Sequence, residues 1–412
     1  MKLRRYFRTE DYFVSPGNYA EEIIQEFSLP SSLEIHDCTL RDGEQQVGVA
    51  FSIADKVKIA EALAVAGIHR IEAGMPAVSS VDQQAVREIV NEKFGPKIFV
   101  FSRAMKKDIQ LAADLGVDGV VIEVPSNDEL IRFGYKWDQD RALSAALEAT
   151  RFAHELGLYV DLFLMDSSRL RLNDYIDRVS AVKKDGWIDS FCLVDTQGVL
   201  STPATRYYVK KSIKELKLPI EAHFHNDLGL SVANSLAAFE SGASVIHSTV
   251  LGLGPRAGQT PTEQVALALR LLYGVDIGLN YKHMYKLAKL VADIAKVQYP
   301  VTQPVVGDSL YTLESGLPVS WWRNIKDEHP LALYGILPSL VDRPDIQIAL
   351  GKSSGSASIL FWLEKFNMRL ANDDSIKDIL IQVKDRAVEK GDLLNEEDFR
   401  KIVEPYLAGE AT

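Results

Sequence analysis

The sequence predicts an α/β protein: a (β/α)8 TIM barrel followed by a smaller mixed α/β C-terminal subdomain. The first observation is that eight short runs rich in β-branched residues alternate with stretches of helical periodicity, usually ended by glycine. The second is length, because the eight β-then-α units occupy roughly 240 residues and such a barrel typically takes about 250. A doubly wound sheet, the alternative, would more often stop at five or six strands.

The eight strand candidates follow one another at the spacing of β-then-α units. In chain order they are LEIHDC (33–38), HRIEAG (69–74), KIFVFS (97–102), GVVIEV (119–124), LYVDLFLM (158–165), DSFCLVD (189–195), IEAHFH (220–225) and SVIHSTV (244–250). Helical periodicity follows each of them. In the seventh helix Val232, Leu236 and Phe239 recur at i, i+4 and i+7, which predicts a face packed on the barrel.

Beyond the eighth unit the pattern changes. NYKHMYKLAKLVADIAKV predicts one more helix, and QYPVTQPVVGDS, with two prolines and a glycine, predicts a linker. After it, IQIALGKSSGSASILFWLEKF predicts a strand, a Gly/Ser turn and a helix, and two amphipathic helices follow. We therefore predict an N-terminal arm (1–32), a barrel that carries the active site (33–300) and a C-terminal subdomain (301–412).

The composition is that of an ordinary globular protein, with 47% hydrophobic and 25% charged residues among 412. No apolar run is long enough for a membrane span, and MKLRRYFRTEDYF lacks the apolar core of a signal peptide. Cys38 and Cys192 form no disulfide framework and no Cys-x-x-Cys motif. The net charge of −11 argues against a nucleic-acid surface, which would need a basic patch. We expect a cytoplasmic enzyme without nucleic-acid or membrane partners.

Two histidines end the seventh strand candidate. Because side chains two apart on a strand point to the same face, His223 and His225 share a face. Asp42 follows the first strand, which a closed barrel brings close to the seventh. A lone histidine is usually a core or surface residue, but two on one face beside a carboxylate predict a catalytic divalent-metal site.

Other polar residues stand at the carboxyl ends of strands, where barrels carry their chemistry. They are Glu72, Ser102, Arg103, Glu123, Asp166 and Thr196. The loop GLGPRAGQ follows the eighth strand, and although a Gly-rich loop is usually only a turn, barrels often bind phosphate at this place. Histidines that stand singly in their elements receive no functional role; they are His36, His69, His154, His247 and His283.

Five motifs in this order resemble the DRE-TIM metallolyase superfamily, which includes 2-isopropylmalate synthase, homocitrate synthase and 3-hydroxy-3-methylglutaryl-CoA lyase. They are HDCTLRDGEQ, IEAGMP, VDTQG, HFHNDLGLSVAN and GLGPRAGQTPTEQV, within residues 33–270. VVGDSLYTLESG and IQIALGKSSG resemble the subdomain that follows the barrel in the synthases. TLRDGEQ, with Glu44 and Gln45, is closer to the synthases than to the lyase.

The resemblance implies a Claisen condensation of an acyl-CoA, such as acetyl-CoA, with a 2-oxo acid to a 2-hydroxy-2-alkyl dicarboxylate. It implies a Mn²⁺, Mg²⁺ or Zn²⁺ ion, and a homodimer in which 301–412 covers the active site of the partner chain. The implied metal ligands are Asp42, His223, His225 and Gln259. The implied catalytic residues in the barrel are Arg41 and Glu72. Substrate would meet Gln45, Ser102, Arg103 and Thr196, and acyl-CoA would meet Gly252, Gly254 and Arg256.

The chain also departs from the superfamily pattern. Gln259 replaces an asparagine, and Pro255 stands where the synthases carry glutamate and the lyase its catalytic cysteine. Leu313 and Pro318 replace two synthase histidines, one of them a proposed catalytic base. We therefore expect the base among Glu314, His329 and Tyr334, with Glu72 and Glu221 the next candidates.

Two alternatives remain open from the sequence. One is a carbon–carbon lyase, because cleavage and condensation pass through the same enolate. The other is a barrel that binds metal without turnover, which the missing subdomain histidines suggest.

Overall fold

The computed structural model describes residues 1–408. Eight parallel strands close into a barrel in chain order, which confirms the predicted (β/α)8 fold. We label them β1 (Glu34–Asp37), β2 (Arg70–Glu72), β3 (Lys97–Arg103), β4 (Gly119–Pro125), β5 (Tyr159–Met165), β6 (Ser190–Asp195), β7 (Ile220–Phe224) and β8 (Val245–Ser248). Pairing of β1 with β8, Asp37 opposite Ser248, completes the ring.

One long helix follows each strand. The eight helices are Ile53–Val65, Ser80–Glu92, Lys106–Leu115, Gln139–Glu155, Leu172–Asp185, Thr202–Leu216, Ser231–Glu240 and Thr262–Leu272. Their starts follow local sequence: the Ser52 hydroxyl accepts from the backbone of Asp55, whose carboxylate accepts from Ser52 N–H. In helix Ser231–Glu240 only Phe239 of the three predicted apolar positions is fully buried, because small residues form most of its packed face.

The structure divides into two compact units: Met1–Tyr6 with Pro16–Tyr299, and Phe7–Ser15 with the chain from Pro300 onward. The residues predicted to form an N-terminal arm, 1–32, are divided between the two units. Ser28 N donates to the carbonyl of Glu240 in the first unit (2.7 Å), whereas Phe13 N donates to the carbonyl of Gly335 in the second (2.8 Å). The first unit also contains helix Met284–Ala295 and a short antiparallel pair, Lys2–Leu3 with Val275–Asp276.

The second unit is a small mixed α/β fold. Its helices are Gly316–Ile325, Ser356–Lys365, Ile376–Lys390 and Glu396–Val403, and Thr312–Leu313 pairs in parallel with Gln347–Ile348. Buried Val319, Ile359 and Phe399 belong to its own hydrophobic core. The first residues of helices Gly316–Ile325 and Ser356–Lys365 lie in close contact. A Cβ on Gly316 would lie 2.6 Å from the Cα of Gly355, so this approach requires glycine. Among the described residues of both units, no helix is long and apolar enough to cross a membrane.

Candidate metal centre and active site

Three potential metal ligands converge at the carboxyl end of the barrel. Asp42 follows β1, and His223 and His225 lie at the end of β7. The Nε2 atoms of His223 and His225 lie 3.7 and 3.9 Å from Asp42 Oδ2. All three side chains are buried, and their ligand atoms lie within 4.8 Å of one another. This is the set that the His-x-His spacing predicts.

Gln259 joins this group from the loop after β8. Its Nε2 donates to Asp42 Oδ2 at 2.6 Å, while its Oε1 is buried and has no hydrogen-bond partner among the described residues. His223 Nε2 is likewise buried and unpartnered within the described chain. Buried polar atoms are nearly always satisfied, so lone pairs left open around a carboxylate suit a cation. The donor set, two imidazoles with carboxylate and amide oxygens, fits a divalent metal.

Both histidines carry the protonation that metal binding requires. Burial lowers the pKa of His223 well below its ordinary value, and the neighbouring His225 adds to the effect. Burial also lowers the pKa of His225, although the Asp42 carboxylate opposes it. Both imidazoles are therefore neutral at pH 7, the form that binds metal. His225 Nδ1 lies 3.2 Å from the Gly258 carbonyl oxygen, so Nδ1 carries the proton and Nε2 faces Asp42.

Glycine shapes the loop that supplies this carbonyl. Gly258 has a φ of +78°, and a Cβ there would collide with the carbonyl oxygen of Gly252. Gly254 lies against Gly258, and a Cβ on it would lie 3.6 Å from Asp42 Oδ2. Arg256 is held by Asp227, with Nε donating to Oδ1 at 2.8 Å. The loop predicted to bind acyl-CoA thus also lies against the candidate metal ligands Asp42 and His225.

Arg41 lies beside the metal ligands with its charge fixed. Its Nη1 donates to Asp42 Oδ1 at 2.8 Å, its Nε donates to Glu72 Oε1, and its guanidinium stacks 4.1 Å from the Phe101 ring centroid. Burial acts to lower the pKa of Arg41, but the Glu72 and Asp42 carboxylates outweigh it and raise that pKa. The buried Nη2 has no partner within the described residues, so one donor remains for a ligand.

Glu72 is ionised and fully engaged. One carboxylate oxygen accepts from Arg41, and the other lies 3.2 Å from His36 Nε2. Burial acts to raise the pKa of Glu72, but Arg41 and His36 lower it to about 2. A carboxylate with such a pKa is a weak base at neutral pH, so Glu72 is suited to hold Arg41 in place.

The residues predicted to contact substrate are less uniform. Ser102 is buried at the end of β3, and Thr196 follows β6, where its hydroxyl accepts from Asp166 N at 2.8 Å. Arg103 is exposed and pairs with Asp108 at 2.7 Å, and Gln45 is exposed in a short 3-10 turn. Their contact with substrate stays a prediction.

The three candidate bases, Glu314, His329 and Tyr334, lie in the second unit. Glu314 Oε1 accepts from Ser353 N at 2.8 Å, and His329 is exposed. Tyr334 lies between Tyr311 and Trp322, with ring centroids 5.5 and 5.8 Å away, and burial raises its pKa to about 12. Their part in catalysis stays a prediction.

Sequence reasoning missed His247, which it treated as an isolated histidine. His247 in β8 lies beneath the metal ligands, with its Nδ1 3.3 Å from His223 Nδ1 and its Nε2 2.9 Å from Glu221 Oε2. Two signals were present: Glu221 stands two residues before His223 on the same strand face, and His247 lies in the adjacent strand. Glu123 on β4 was noted only as a strand end; burial raises its pKa against the opposing charges of Arg41 and Arg103.

A family model described as HMGL-like matches residues 32–291. The homocitrate synthase AksA of Methanothermobacter thermautotrophicus is 33% identical over 392 residues, 95% of this chain and 97% of that protein. The 2-isopropylmalate synthase of Methanocaldococcus jannaschii is 32% identical over 387 residues, 93% of this chain and 73% of that protein. The solved HMG-CoA lyase of Bacillus subtilis superposes with a TM-score of 0.60 at 18% identity, over 66% of this chain and 96% of its own, which bears on the fold alone.

These likenesses confirm the resemblance drawn from the five motifs. The two relatives in sequence extend over both units of the chain, and the family model covers most of the barrel. The barrel, its metal-ligand set and the relatives agree, and the chain belongs to the HMGL-like family.

Proposed function

We propose that this protein is a metal-dependent acyltransferase that condenses an acyl-CoA, acetyl-CoA or a close analogue, with a 2-oxo acid. The observation that carries the proposal is that Arg41, whose Nη2 has no partner among the described residues, lies beside a possible metal-ligand set. That set is Asp42, His223 and His225. The sequence relatives, named homocitrate and 2-isopropylmalate synthases, support this reaction class. Pro255, in place of the lyase cysteine, argues against the cleavage chemistry of the lyase.

Asp42, His223, His225 and Gln259 would hold the divalent ion, Mn²⁺, Mg²⁺ or Zn²⁺. Bound there, the ion would act as a Lewis acid on the ketone of the 2-oxo acid. Arg41 would donate from Nη2 to the oxygen on which negative charge develops, and Glu72 would keep the guanidinium oriented. Ser102, Thr196, Gln45 and Arg103 are proposed to contact the substrate, and the loop of Gly252, Gly254 and Arg256 to contact acyl-CoA.

The base that removes the α-proton of the thioester is proposed to come from the second unit. Glu72 and Glu221 are poor alternatives in the barrel, because Arg41 and Arg70 overcome the effect of burial and hold each pKa below its ordinary value. His329 and Glu314 are the stronger candidates, since Tyr334 would need a neighbour to lower its raised pKa. We propose that residues 301–412 complete the site of a partner chain in a cytoplasmic homodimer.

Turnover tests the proposed reaction directly. Purified protein is incubated with divalent metal, acetyl-CoA and a panel of 2-oxo acids, while a thiol reagent follows free CoA. We expect thiol release that needs both the metal and one of the 2-oxo acids. Metal binding without thiol release from any acyl-CoA and 2-oxo acid pair would instead support the non-catalytic barrel, and cleavage of a 3-hydroxyacyl-CoA would support the lyase.

His225→Ala tests the metal ligands. Its removal leaves Asp42 with one imidazole, so we expect loss of bound metal and of turnover in a folded protein. His154→Ala is the matched control, because His154 is exposed and stacks on Trp187 at 3.7 Å between ring centroids. If His225→Ala keeps stoichiometric metal by elemental analysis, the site is misassigned.

The base and the dimer are tested together. In D₂O, with metal and acyl donor alone, wild type should exchange deuterium into the α-position, and His329→Ala or Glu314→Gln should slow that exchange. Mixing inactive His225→Ala with the slower of these two variants should restore activity if one site draws on two chains. A fully active monomer in sedimentation would refute the shared site.

A further inference from the structure

A chain of buried side chains runs from β2 through β7 and β8 to the metal ligand His223. Arg70 Nη1 donates to Glu221 Oε1 at 2.9 Å, and Glu221 Oε2 lies 2.9 Å from His247 Nε2. His247 Nδ1 lies 3.3 Å from His223 Nδ1. Glu221, His247 and His223 are at most 1% exposed. In this series of hydrogen bonds, the atom that donates in one contact determines which atom must donate in the next.

The roles follow from the charged end. Arg70 offers only donors, so a Glu221 carboxylate between Arg70 and His247 accepts from both. His247 Nε2 therefore carries a proton, and in the neutral ring its Nδ1 carries a lone pair. His223 must then donate from Nδ1, which leaves the lone pair of its Nε2 directed toward Asp42.

We propose that His247, held by Glu221 and Arg70, is a positioning residue that fixes His223 in the tautomer able to bind the metal. The inference rests on the proposed function, since it concerns the same metal centre. The other ligand, His225, obtains the same tautomer from the carbonyl of Gly258. Ligating histidines commonly donate their second N–H to a carboxylate or carbonyl. Here a second imidazole, His247, lies between the ligand His223 and the carboxylate of Glu221.

Two further groups that contact His247, His36 and Cys38, leave this role intact. His36 stacks on its ring with centroids 4.3 Å apart, which holds the plane of the imidazole without using its nitrogens. Cys38 Sγ lies 3.8 Å from His247 Nδ1 and 3.6 Å from Glu72 Oε2, and its S–H is only a weak donor. His223 Nδ1 thus remains the strong donor that His247 Nδ1 accepts from.

Glu221→Gln, an isosteric change, should reverse the direction of hydrogen-bond donation from Glu221 through His247 to His223. Because Arg70 has no acceptor, the amide oxygen must face Arg70 and the amide N–H must face His247 Nε2. His247 would then carry its proton on Nδ1, and His223 would be driven to the Nε2–H tautomer, which cannot bind metal through that atom. Calorimetric titration of metal-free protein with Mn²⁺ should show affinity weakened by about tenfold to hundredfold.

Glu240→Gln is the matched control. Glu240 is also buried and paired with an arginine, Arg206 at 2.7 Å, but it lies on the outer helix Ser231–Glu240. Its variant should bind Mn²⁺ as wild type does. A folded Glu221→Gln variant with wild-type Mn²⁺ affinity would overturn the proposal.

The tautomer itself gives a readout that needs no metal. In metal-free protein labelled with ¹⁵N-histidine, long-range ¹H–¹⁵N correlation should find the His223 proton on Nδ1 in wild type and on Nε2 in Glu221→Gln. A proton on Nε2 in wild type would overturn the inference. If wild type binds no metal at all, the proposed function fails, while the tautomer still decides for or against the role of His247.

A second pair of variants serves if Glu221→Gln does not fold. His247→Asn places an amide oxygen near the position of Nδ1, so it should keep most of the Mn²⁺ affinity, whereas His247→Leu removes the acceptor at similar volume and should lose it. Equal affinities in the two folded variants would contradict a role for the acceptor.

Discussion

Two groups of buried carboxylates lie in the same barrel and differ in charge. The guanidinium cluster consists of Arg41 with Glu72 and Arg70 with Glu221, and both glutamates have a lowered pKa despite complete burial. The described residues place no cation in an ion pair with the carboxyl pair, Asp37 and Glu263. Burial raises the pKa of Asp37 to about 6 and that of Glu263 to about 7.

The difference shows that burial alone does not determine the charge of a side chain. Desolvation favours the neutral acid in both groups, and in the guanidinium cluster an arginine, with a histidine beside each glutamate, reverses it. In the guanidinium cluster the ionised carboxylates orient groups beside the metal ligands. In the carboxyl pair, neutral or weakly charged acids bond to backbone and hydroxyl groups: Glu263 Oε2 accepts from Leu251 N (3.0 Å) and Asp37 Oδ2 from Thr262 Oγ1 (2.8 Å).

Of the substitutions considered, removing a cation from the guanidinium cluster should lower the free energy of unfolding the most. Arg70→Met leaves Glu221 charged, buried and without its guanidinium, so we expect the free energy of unfolding to fall by about 3–5 kcal/mol. Urea unfolding at pH 7 measures it. Arg171→Met removes a mostly exposed partner of Asp174 and should cost less than about 1 kcal/mol. Similar losses in the two variants would mean that burial of the pair adds nothing.

The stability contributed by Glu263 should change with pH in the opposite sense to that contributed by Glu72, whose carboxylate is paired with Arg41. Because the folded-state pKa of Glu263, about 7, lies above its ordinary 4.5, the folded protein binds the extra proton. Its contribution to stability is present below pH 4.5 and is lost as the pH rises through 7.

Glu263→Gln removes that loss and keeps an acceptor for Leu251 N. At pH 8 its free energy of unfolding should exceed that of wild type by roughly 3 kcal/mol, and at pH 4 the two should agree. Denaturant unfolding across this range measures the difference. Glu61→Gln, at an exposed helix position, should leave the wild-type profile unchanged. A constant offset at every pH would exclude ionisation of Glu263 as the cause.

The smallest expected effect comes from a substitution that keeps the positive charge and alters only the geometry of its donors. Arg41→Lys keeps three donors but places them on one nitrogen, so it cannot meet Glu72, Asp42 and a ligand from the separate positions of Nε, Nη1 and Nη2. We expect turnover to fall about a hundredfold, or ~2.7 kcal/mol, as for one lost oxyanion donor. Arg206→Lys, on the outer helices, is the control and should keep its turnover. Near-normal turnover of Arg41→Lys would limit the role of Arg41 to charge alone.

The sequence alone determined the barrel and brought together the candidate metal ligands, because both depend on local patterns. Strand candidates matched the observed strands within about two residues, as alternation and glycine-ended helices are read directly from neighbouring residues. Asp42, His223 and His225 were found because strand periodicity places the two imidazoles on one face and barrel closure brings Asp42 to them.

Only the tertiary structure decided what surrounds those ligands. His247 and Glu221 lie beside the candidate metal ligand His223 because β7 and β8 are neighbours and their inward side chains meet, a pairing that no single strand encodes. The same holds for charge: the sequence records each glutamate alike, and the fold makes Glu72 ionised and Glu263 neutral at mildly acidic pH by placing Arg41 beside only the first. Electrostatic energy depends on distance in space, and residues far apart in the chain set it.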